Sequence, residues 1–311
     1  MYEAFGAASV DSVTHPLLLS QISSHDKVWD EHRAAADLVS SFYAGSDFNN
    51  YAIRVSFCSQ LLDFRLALTG GIKLFSSHFC RVRYCPVCQW RRSLMWKAKA
   101  HEFLPRLVSD YPRHRWLFLT LTVKNPPIFS LRETVADMNR AFTRLTQLKV
   151  WPGVGWIKSL EVTKGKDGPM MAHPHFHVLL MVRPSYFTYG YLPHRDWTAL
   201  WRQCLRCDYD PGTHLRPLTV HQQPSEIVPE ILKYQTKPSD LVADRDWLVE
   251  LTRQLHKTRA VAVGGVFRSY MRELEEEPQD LIGDCSEEEV VSDVILRFGW
   301  RSRIKKYKLE G

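Results

Sequence analysis

The alternation of apolar and polar residues is clearest after Pro112. Residues 116–123 are rich in aromatic and β-branched residues, which predicts a strand that ends before Asn125. Ser130 and Glu133 have the spacing of a capping box, so a helix is expected to begin there. Its apolar positions form one stripe of an amphipathic helix: Leu131, Val135, Met138, Phe142, Leu145 and Leu148.

Two further strands are predicted over 155–163 and 175–182, joined by a loop rich in Gly, Lys and Asp at 164–168. Strands joined by a short loop pair antiparallel, and the preceding helix would cover one face of their sheet. The pattern therefore predicts an α+β fold with a central antiparallel sheet flanked by helices.

The pattern continues with a helix over 195–205, a short strand over 215–220 and a helix from about Ser225 to Lys237. Pro229 falls in the first turns of that last helix, and Pro238 follows its end.

The composition is that of a globular protein: 311 residues, 45% hydrophobic and 24% charged, enough for one large domain or two modest ones. No apolar run approaches the roughly 20 residues that span a bilayer, and the N-terminus does not have the pattern of a secretory signal. A cytoplasmic location with no membrane partner is expected. The seven cysteines are then interpreted as thiols or metal ligands rather than disulfides.

The net charge of +7 is unevenly distributed. Residues 271–293 hold ten acids and one base, and residues 294–311 hold six bases and one acid, so residues 1–270 carry a net charge of +11. A body this basic indicates a polyanionic partner. Residues 271–311 are interpreted as a tail, first acidic and then basic.

Candidate chemistry begins with His175 and His177. Alternate residues of a strand share a face, so the two imidazoles would lie close together. Glu161, in the preceding strand, would lie beside them in a hairpin. Two histidines and a carboxylate suit a catalytic divalent cation such as Mn²⁺ or Mg²⁺. The alternative is a pair of histidines and a surface acid on a solvated strand face.

A second candidate site lies on the predicted helix that ends at Lys237. Glu230, Tyr234 and Lys237 are spaced four and three residues apart, so they would share one helix face. Tyr234 is a candidate nucleophile, and Lys237 would favour its phenolate. An ordinary amphipathic surface helix would have the same pattern.

The cysteines of residues 51–100 predict a metal knuckle. Cys80, Cys85 and Cys88 have the spacing of zinc ligands. Cys58 is the preferred fourth ligand and His78 the alternative, while incidental buried thiols would leave no site. Nearby arginines would give the knuckle a basic surface for DNA phosphates: Arg81, Arg83, Arg91 and Arg92.

Together these motifs resemble the HUH endonucleases, and in particular the single-tyrosine initiators (Rep) of plasmid rolling-circle replication. The resemblance extends from about Tyr51 to Tyr270 and keeps the order of the family's motifs. The matching segments are 118–122, 173–179, 233–237 preceded by Glu230, and 255–259 followed by Gly264 and Gly265.

The resemblance implies that His175, His177 and Glu161 bind the cation and that Tyr234 attacks the scissile phosphate. The product would be a 5′-phosphotyrosine link, and Glu230 would later activate water to end the cycle. Lys233 and the knuckle arginines would contact DNA. The implied partners are single-stranded DNA at the plasmid double-strand origin, presented in a hairpin, and a host helicase and DNA polymerase in the bacterial cytoplasm.

The expected organisation is an N-terminal segment of unknown role (1–50), a zinc-knuckle region (51–100), an HUH domain (101–270) and the tail (271–311). Rival interpretations are another HUH enzyme (a conjugative relaxase or a transposase) and a zinc-containing DNA-binding regulator without catalysis. A non-haem iron oxygenase also uses two histidines and a carboxylate, but the basic body argues against it.

Overall fold

A computed structural model describes residues 17–67, 71–218, 236–272, 281–282 and 290–310. The α-helices are α1 (Leu19–Ile22), α2 (Lys27–Tyr43), α3 (Asn49–Ser56), α4 (Pro86–Asp110), α5 (Leu131–Gln147), α6 (His194–Leu205), α7 (Pro238–Leu241), α8 (Arg245–Leu255) and α9 (Phe267–Arg272). The strands are β1 (Leu61–Ala67), β2 (Ile72–Ser77), β3 (Arg115–Thr122), β4 (Gly153–Lys164), β5 (Ala172–Val182), β6 (Thr213–Pro217), β7 (Val261–Gly265), β8 (Val290–Arg301) and β9 (Lys306–Leu309).

The larger sheet has five antiparallel strands in the order β6-β3-β5-β4-β7. The hairpin of β4 and β5 lies at its centre, with β3 on the other side of β5. This confirms the predicted α+β fold with a central antiparallel sheet and helices beside it. The strand over 215–220 is shifted, because β6 begins at Thr213 and ends at Pro217.

Helices cover one face of this sheet. The predicted stripe of α5 is buried from Leu131 to Leu145 and packs with Leu160, Phe176 and Leu180 of the sheet. The capping box is wrong, however. Ser130 ends a 3-10 turn at Ile128–Ser130, and its side chain makes no capping hydrogen bond.

Among the residues that the structure describes, the opposite face of the sheet is covered only in part. Phe103, Leu104 and Leu107 of α4 pack with Phe267 of α9 over Leu179 and its neighbours. Residues of the same face that lie beyond this second core are polar, and they include both histidines of the predicted metal site. The candidate metal site therefore lies at the polar end of this face.

The basic part of the predicted tail belongs to the fold, while most of its acidic part lies outside the described residues. Residues 290–309 form β8 and β9 of a second antiparallel sheet in the order β2-β1-β8-β9. Phe298, Trp300 and Tyr307 are buried, and the Tyr307 hydroxyl donates to the carbonyl oxygen of Ser59 at 2.6 Å. Aromatic residues alternate with the charged residues of this segment, and the aromatic side chains form the buried face of the strands.

Helix α2, in the predicted N-terminal segment, packs against the rest of the protein at both ends. In α2, Trp29 contacts the Trp90 ring edge-on, with 4.6 Å between ring centroids. At the other end of α2, the Tyr43 hydroxyl lies 2.7 Å from the Thr252 hydroxyl on α8. Helix α2 therefore connects the start of α4 with α8. Within the described ranges, no helix has both the length and the apolar character required to cross a bilayer.

Candidate metal centre

Three candidate ligands converge at the centre of the larger sheet. Glu161 of β4 lies directly opposite His175 of β5 in the strand register, and His177 is two residues further along the same face. One oxygen, Oε2 of Glu161, lies 3.1 Å from Nε2 of His175 and 2.8 Å from Nε2 of His177. The sequence-based grouping of these three side chains is therefore present in the structure.

The carboxylate of Glu161 is held in its ionised form. Burial raises its pKa, but the contacts with His175 and His177 outweigh burial and lower the pKa to about 2. Its side chain is 18% exposed, so solvent still reaches the group. The site thus combines an anionic oxygen with two imidazole nitrogens at a partly open position on the sheet.

The histidine rings are oriented by their other nitrogens. Nδ1 of His175 lies 3.2 Å from the carbonyl oxygen of His173, which can only accept, so Nδ1 carries the proton. Nδ1 of His177 faces the Thr120 hydroxyl of β3 at 3.4 Å. Both Nε2 atoms therefore point toward Glu161, as they would for ligands of one ion.

This donor set fits a divalent cation. Two imidazoles and one carboxylate occupy one side of an ion and leave its remaining coordination positions open. In the described part of the chain, the ligand atoms of these three residues all lie within 4.8 Å of one another. Mn²⁺ and Mg²⁺ accept such a set, with Mn²⁺ better suited to imidazole.

His173 belongs to β5, not to the preceding loop, and sequence reasoning missed its role beside the site. Its Nδ1 lies 2.7 Å from Oδ1 of Asn125, whose amide donates to Asp167 at 2.6 Å. The His173 and His175 rings are 5.1 Å apart. The polar chain from Asp167 through Asn125 thus fixes the ring next to the three candidate ligands. The sequence pattern predicts for Asn125 only that the strand ends before it.

The four predicted thiols form a second cluster. Sγ of Cys58 lies 3.6 Å from Sγ of Cys88 and 3.7 Å from Sγ of Cys85, and Cys80 and Cys88 are 3.6 Å apart. Four sulfurs around one Zn²⁺ at about 2.3 Å would be separated by about 3.8 Å. Cys58 thus completes the set, and His78 is not among the grouped ligands.

The environment of the thiols favours metal binding. The amide of Arg81 donates to Sγ of Cys88 at 3.3 Å, and the amide of Cys80 donates to Sγ of Cys58 at 3.5 Å. Hydrogen bonds from neighbouring thiols, Cys58 first among them, lower the pKa of Cys88, whereas burial raises that of Cys85. Four buried thiols this close together are the donor set of a structural zinc site.

Two of the four arginines predicted to contact DNA instead donate hydrogen bonds to backbone carbonyl groups within the protein. Arg91 is 2% exposed and donates to the carbonyl oxygens of Leu281 and Ile282. Arg83 donates to the carbonyl oxygens of Leu255 and Thr258, at the C-terminal end of α8. Their prediction as phosphate contacts is corrected because these guanidinium groups satisfy backbone carbonyls that would otherwise lack donors.

Arg81 and Arg92 lie closer to solvent than Arg91. Arg81 is exposed, and Arg92 is half-buried and donates to the carbonyl oxygen of Arg81 at 2.8 Å. For these two side chains, contact with DNA phosphates stays a prediction.

The predicted nucleophile segment lies mostly outside the described residues. Glu230, Lys233 and Tyr234 fall in the range 219–235, which the structure does not describe. Lys237 is described and is not helical: its backbone is extended (φ −60°, ψ 135°), and it precedes α7 as the N-cap. The prediction that the helix extends to Lys237 is therefore wrong.

The residues that follow Lys237 are anchored beside the candidate metal centre. Asp240 of α7 accepts a hydrogen bond from the backbone amide of Lys164 at 3.1 Å. The ammonium group of Lys164, three residues after Glu161 on β4, also pairs with Asp244 at 3.1 Å. The chain leaving the nucleophile segment is thus held at the same end of β4 as the candidate ligands.

The fold and the site define an α+β protein with a candidate divalent-metal centre on an antiparallel sheet and a separate four-thiol cluster. The family model of replication proteins, Rep_1, matches residues 71–308, and the chain belongs to that family. No solved structure is significantly similar to the chain.

Curated relatives carry the same family name. A "Protein rep" of Bacillus amyloliquefaciens is 31% identical over 91% of this chain and 94% of its own length. A "Protein rep" of Streptococcus pneumoniae is 32% identical over 71% of each chain. One from Lentilactobacillus hilgardii is 30% identical over 79% of this chain and 82% of its own length.

Proposed function

We propose that the protein initiates plasmid rolling-circle replication by nicking and rejoining single-stranded origin DNA in a metal-dependent, site-specific reaction. The observation that carries this proposal is the convergence of Glu161, His175 and His177 on one point, in a chain that belongs to the replication-protein family. A binding module would not need two imidazoles and an ionised carboxylate focused on one position of an open sheet face.

In the proposed reaction Tyr234 is the nucleophile. Its phenolate oxygen forms a bond to the scissile phosphorus, and the bond from phosphorus to the 3′ oxygen breaks. The 3′ oxygen takes up a proton and leaves as a 3′-OH, while the 5′ phosphate stays on Tyr234. Because one phosphodiester replaces another, rejoining requires no nucleotide cofactor.

A divalent cation held by His175, His177 and Glu161 would polarise the scissile phosphate and offset its developing charge. The protein's own residues supply the rest. His175 and His177 are oriented through Nδ1, so no side chain has to rotate for both Nε2 atoms to act as ligands. Lys237 would attract the phenolate form of Tyr234 and lower the cost of forming it.

The anchoring of α7 supports a position for Tyr234 near the metal centre. Asp240 is bonded to Lys164 at the end of β4, and Tyr234 precedes Asp240 by six residues. An extended chain covers at most about 3.3–3.6 Å per residue, so six residues confine Tyr234 to within roughly 20 Å of that anchor. Glu230, one helical turn before Tyr234 if that segment is helical, would activate the water that ends the cycle.

The four-thiol cluster would hold a structural Zn²⁺. The ion would join Cys58, which follows α3, to Cys85 and Cys88 at the N-terminus of α4, and so would hold the start of α4 in place. Arg81 and Arg92 on this knuckle, with Lys233, would contact DNA phosphates. The proposed partners are hairpin-presented single-stranded origin DNA, a host helicase and a DNA polymerase that extends the released 3′-OH.

Two other functions fit parts of the structure. A relaxase or transposase of the HUH type would use the same metal centre and nucleophile. A zinc-containing DNA-binding regulator would need the thiol cluster and the basic body, but not the focused Glu161, His175 and His177. The metal centre therefore favours an enzyme over the regulator.

The test is covalent capture. The full-length protein with Mn²⁺ is incubated with single-stranded oligonucleotides drawn from both origin strands of its replicon, and adducts are resolved by denaturing electrophoresis. We expect an adduct that peptide mass spectrometry locates on Tyr234 and that Tyr234→Phe abolishes. Tyr189→Phe is the matched control, because the Tyr189 side chain is 94% exposed and lies outside the candidate site.

Persistence of the adduct in Tyr234→Phe would refute the nucleophile, and metal-independent binding with no adduct on any origin strand would favour the regulator. The termination role is tested separately. Glu230→Ala should nick and join as before but fail to release finished single-stranded circles, and unchanged release would refute that role.

A further inference from the structure

The segment 255–259, one of those in which the sequence resembles the replication initiators, has no role in the proposed reaction. It connects α8 to β7, the strand that ends with Gly264 and Gly265. The segment contains Arg259, whose side chain is exposed. A guanidinium group can bind a phosphate through two parallel hydrogen bonds, so the position of Arg259 relative to the candidate metal centre decides what it can do.

Strand pairing places Arg259 beside Glu161. Strand β7 pairs antiparallel with β4, and the pairing continues just before β7, where the amide of Leu160 donates to the carbonyl oxygen of Ala260 at 2.8 Å. The next opposed residues in this order are Glu161 and Arg259. Arg259 is two residues before Val261, which packs with the second core on the metal-site face. Alternation along the chain therefore puts Arg259 on the same face as Glu161.

The turn before Arg259 is held from two sides. Lys257 has a φ of 58°, a left-handed conformation that a residue with a side chain keeps only where its surroundings enforce it. Arg83, which lies between two of the clustered cysteines in the sequence, donates to the carbonyl oxygen of Thr258 at 2.8 Å and to its hydroxyl at 3.0 Å. Arg132 of α5 donates to the carbonyl oxygen two residues earlier, at 3.1 Å. The backbone that carries Arg259 is thus fixed by contacts within the protein.

The two glycines keep β7 close to β4. A Cβ on Gly264 would lie 2.2 Å from the ring of Trp156, and one on Gly265 would lie 2.2 Å from the carbonyl oxygen of Val154. Gly265 also has a φ of 61°, in the region that favours glycine. Only glycine fits at both positions, and the close pairing that results sets the register of Arg259.

We infer that Arg259 is a catalytic residue that donates hydrogen bonds to a non-bridging oxygen of the scissile phosphate. The inference rests on the proposed nicking reaction. In the sheet, Glu161 lies between His175 of β5 and Arg259, so a phosphate bound at the three candidate ligands would have the guanidinium on its β7 side. There it would stabilise the negative charge that builds on the phosphate in the transition state. Arginine keeps its proton, so the bonds formed and broken in the nicking step are unchanged.

The rival role for Arg259 is a structural ion pair with Glu161. Among the described residues, the salt bridges of Glu161 are those with His175 and His177, at 3.1 and 2.8 Å. The two roles predict different effects on metal binding. Loss of a residue that supports Glu161 would weaken Mn²⁺ binding, whereas loss of a phosphate contact would not.

The first measurement is the single-turnover rate of adduct formation by the full-length protein with Mn²⁺ and an origin oligonucleotide. Arg259→Ala should slow the reaction by about 10²–10³-fold, the effect of removing one donor to the developing charge. Arg259→Lys keeps the charge but loses the planar pair of donors, so it should recover only part of the rate. Arg140→Ala is the matched control, because Arg140 is 60% exposed on α5, which covers the opposite face of the sheet.

A second readout needs neither metal nor reaction. Binding of the same oligonucleotide is measured by fluorescence anisotropy in EDTA, with each phosphate in turn replaced by an uncharged methylphosphonate. In the wild-type protein, replacement at the linkage that Tyr234 attacks should weaken binding by at least about tenfold, the lower end for a hydrogen bond between charged groups. In Arg259→Ala the same replacement should have little further effect. Damage to the fold would not produce such coupling at one phosphate.

The possible failures can be told apart. Equal losses in both proteins at every phosphate, or coupling only at a linkage that Tyr234 does not attack, would overturn the inference. Weaker Mn²⁺ binding by Arg259→Ala in calorimetry would overturn it too, because Arg259 would then act through Glu161. A normal adduct in the wild-type protein, formed at the same rate by Arg259→Ala, refutes this inference alone. Absence of an adduct in the wild-type protein refutes the proposed nicking, and this inference with it.

Discussion

Replacing Arg91 separates a structural arginine from a DNA-binding one. Its guanidinium lies beside two indole rings, with its central carbon 5.5 Å from the Trp29 centroid and 5.4 Å from the Trp90 centroid. It also donates to the carbonyl oxygens of Leu281 at 2.7 Å and Ile282 at 2.5 Å. Arg91→Ala removes all of these contacts and leaves two carbonyl groups without donors.

The expected cost follows from those contacts. Each hydrogen bond from a charged donor contributes about 1.5–3 kcal/mol, and each buried cation–ring contact adds about 0.5–1 kcal/mol or more. Because such contributions overlap, we expect Arg91→Ala to lower the free energy of unfolding by about 3–5 kcal/mol. At roughly 2 °C per kcal/mol for a chain of this size, Tm should fall by at least about 6 °C.

The assay is thermal unfolding of the full-length protein by circular dichroism, paired with oligonucleotide binding at a temperature where every variant is folded. Arg92→Ala is the matched control, since Arg92 is next in the helix and half-buried. Arg91→Ala should have a lower Tm than wild type and bind DNA with wild-type affinity. Arg92→Ala should have a free energy of unfolding within about 1 kcal/mol of wild type and bind DNA more weakly. Wild-type stability together with lost DNA affinity in Arg91→Ala would refute the structural assignment.

Four further predictions concern other parts of the chain. Cys88→Ser should remove about one bound zinc per chain, measured by mass spectrometry under native conditions, and lower Tm; full zinc content would contradict the four-thiol site. Burial lowers the pKa of Lys158 to about 8 from 10.5, so the unfolded chain binds more protons between these values and stability should rise with pH there; the rise should be absent from Lys158→Met in parallel urea titrations. His177→Ala should weaken Mn²⁺ binding at least tenfold by calorimetry, roughly the minimum for a lost ligand, whereas His214→Ala, an exposed histidine on the same sheet face, should not. Truncation after residue 289 should abolish cooperative unfolding, because β8 and β9 supply half of the second sheet. If these residues were only a tail, their removal would leave the unfolding transition unchanged.

The sequence predicts the central sheet and the grouping of Glu161, His175 and His177 well because both rest on local periodicity. The stripe of α5 and the hairpin of β4 and β5 join residues close in the chain, so the period of each segment suffices. His175 and His177 share a face for the same reason. The spacing of Cys80, Cys85 and Cys88 is local as well. Only Cys58 had to be chosen from a more distant part of the sequence.

The sequence does not reveal the second sheet, because its pairing is not local. Leu62 of β1 pairs with Phe298 of β8, and no local pattern links residues so far apart. Charge also misleads: six bases among residues 294–311 indicate a tail, although Phe298 and Trp300 alternate with them. Arg91 shows the same limit, since nothing near it in the chain reveals that its partners are the carbonyl groups of Leu281 and Ile282.

The position of β5 at the centre of its sheet has a consequence for local unfolding. Both edges of β5 are hydrogen-bonded, to β3 and to β4, so its amides should exchange with solvent only in the rarest openings of the domain. His175 and His177 lie on that strand, whereas the second sheet and the thiol cluster depend on contacts far from it. Partial opening at those outer parts would leave both histidines in place, and deuterium uptake should mark them as the most protected part of the site.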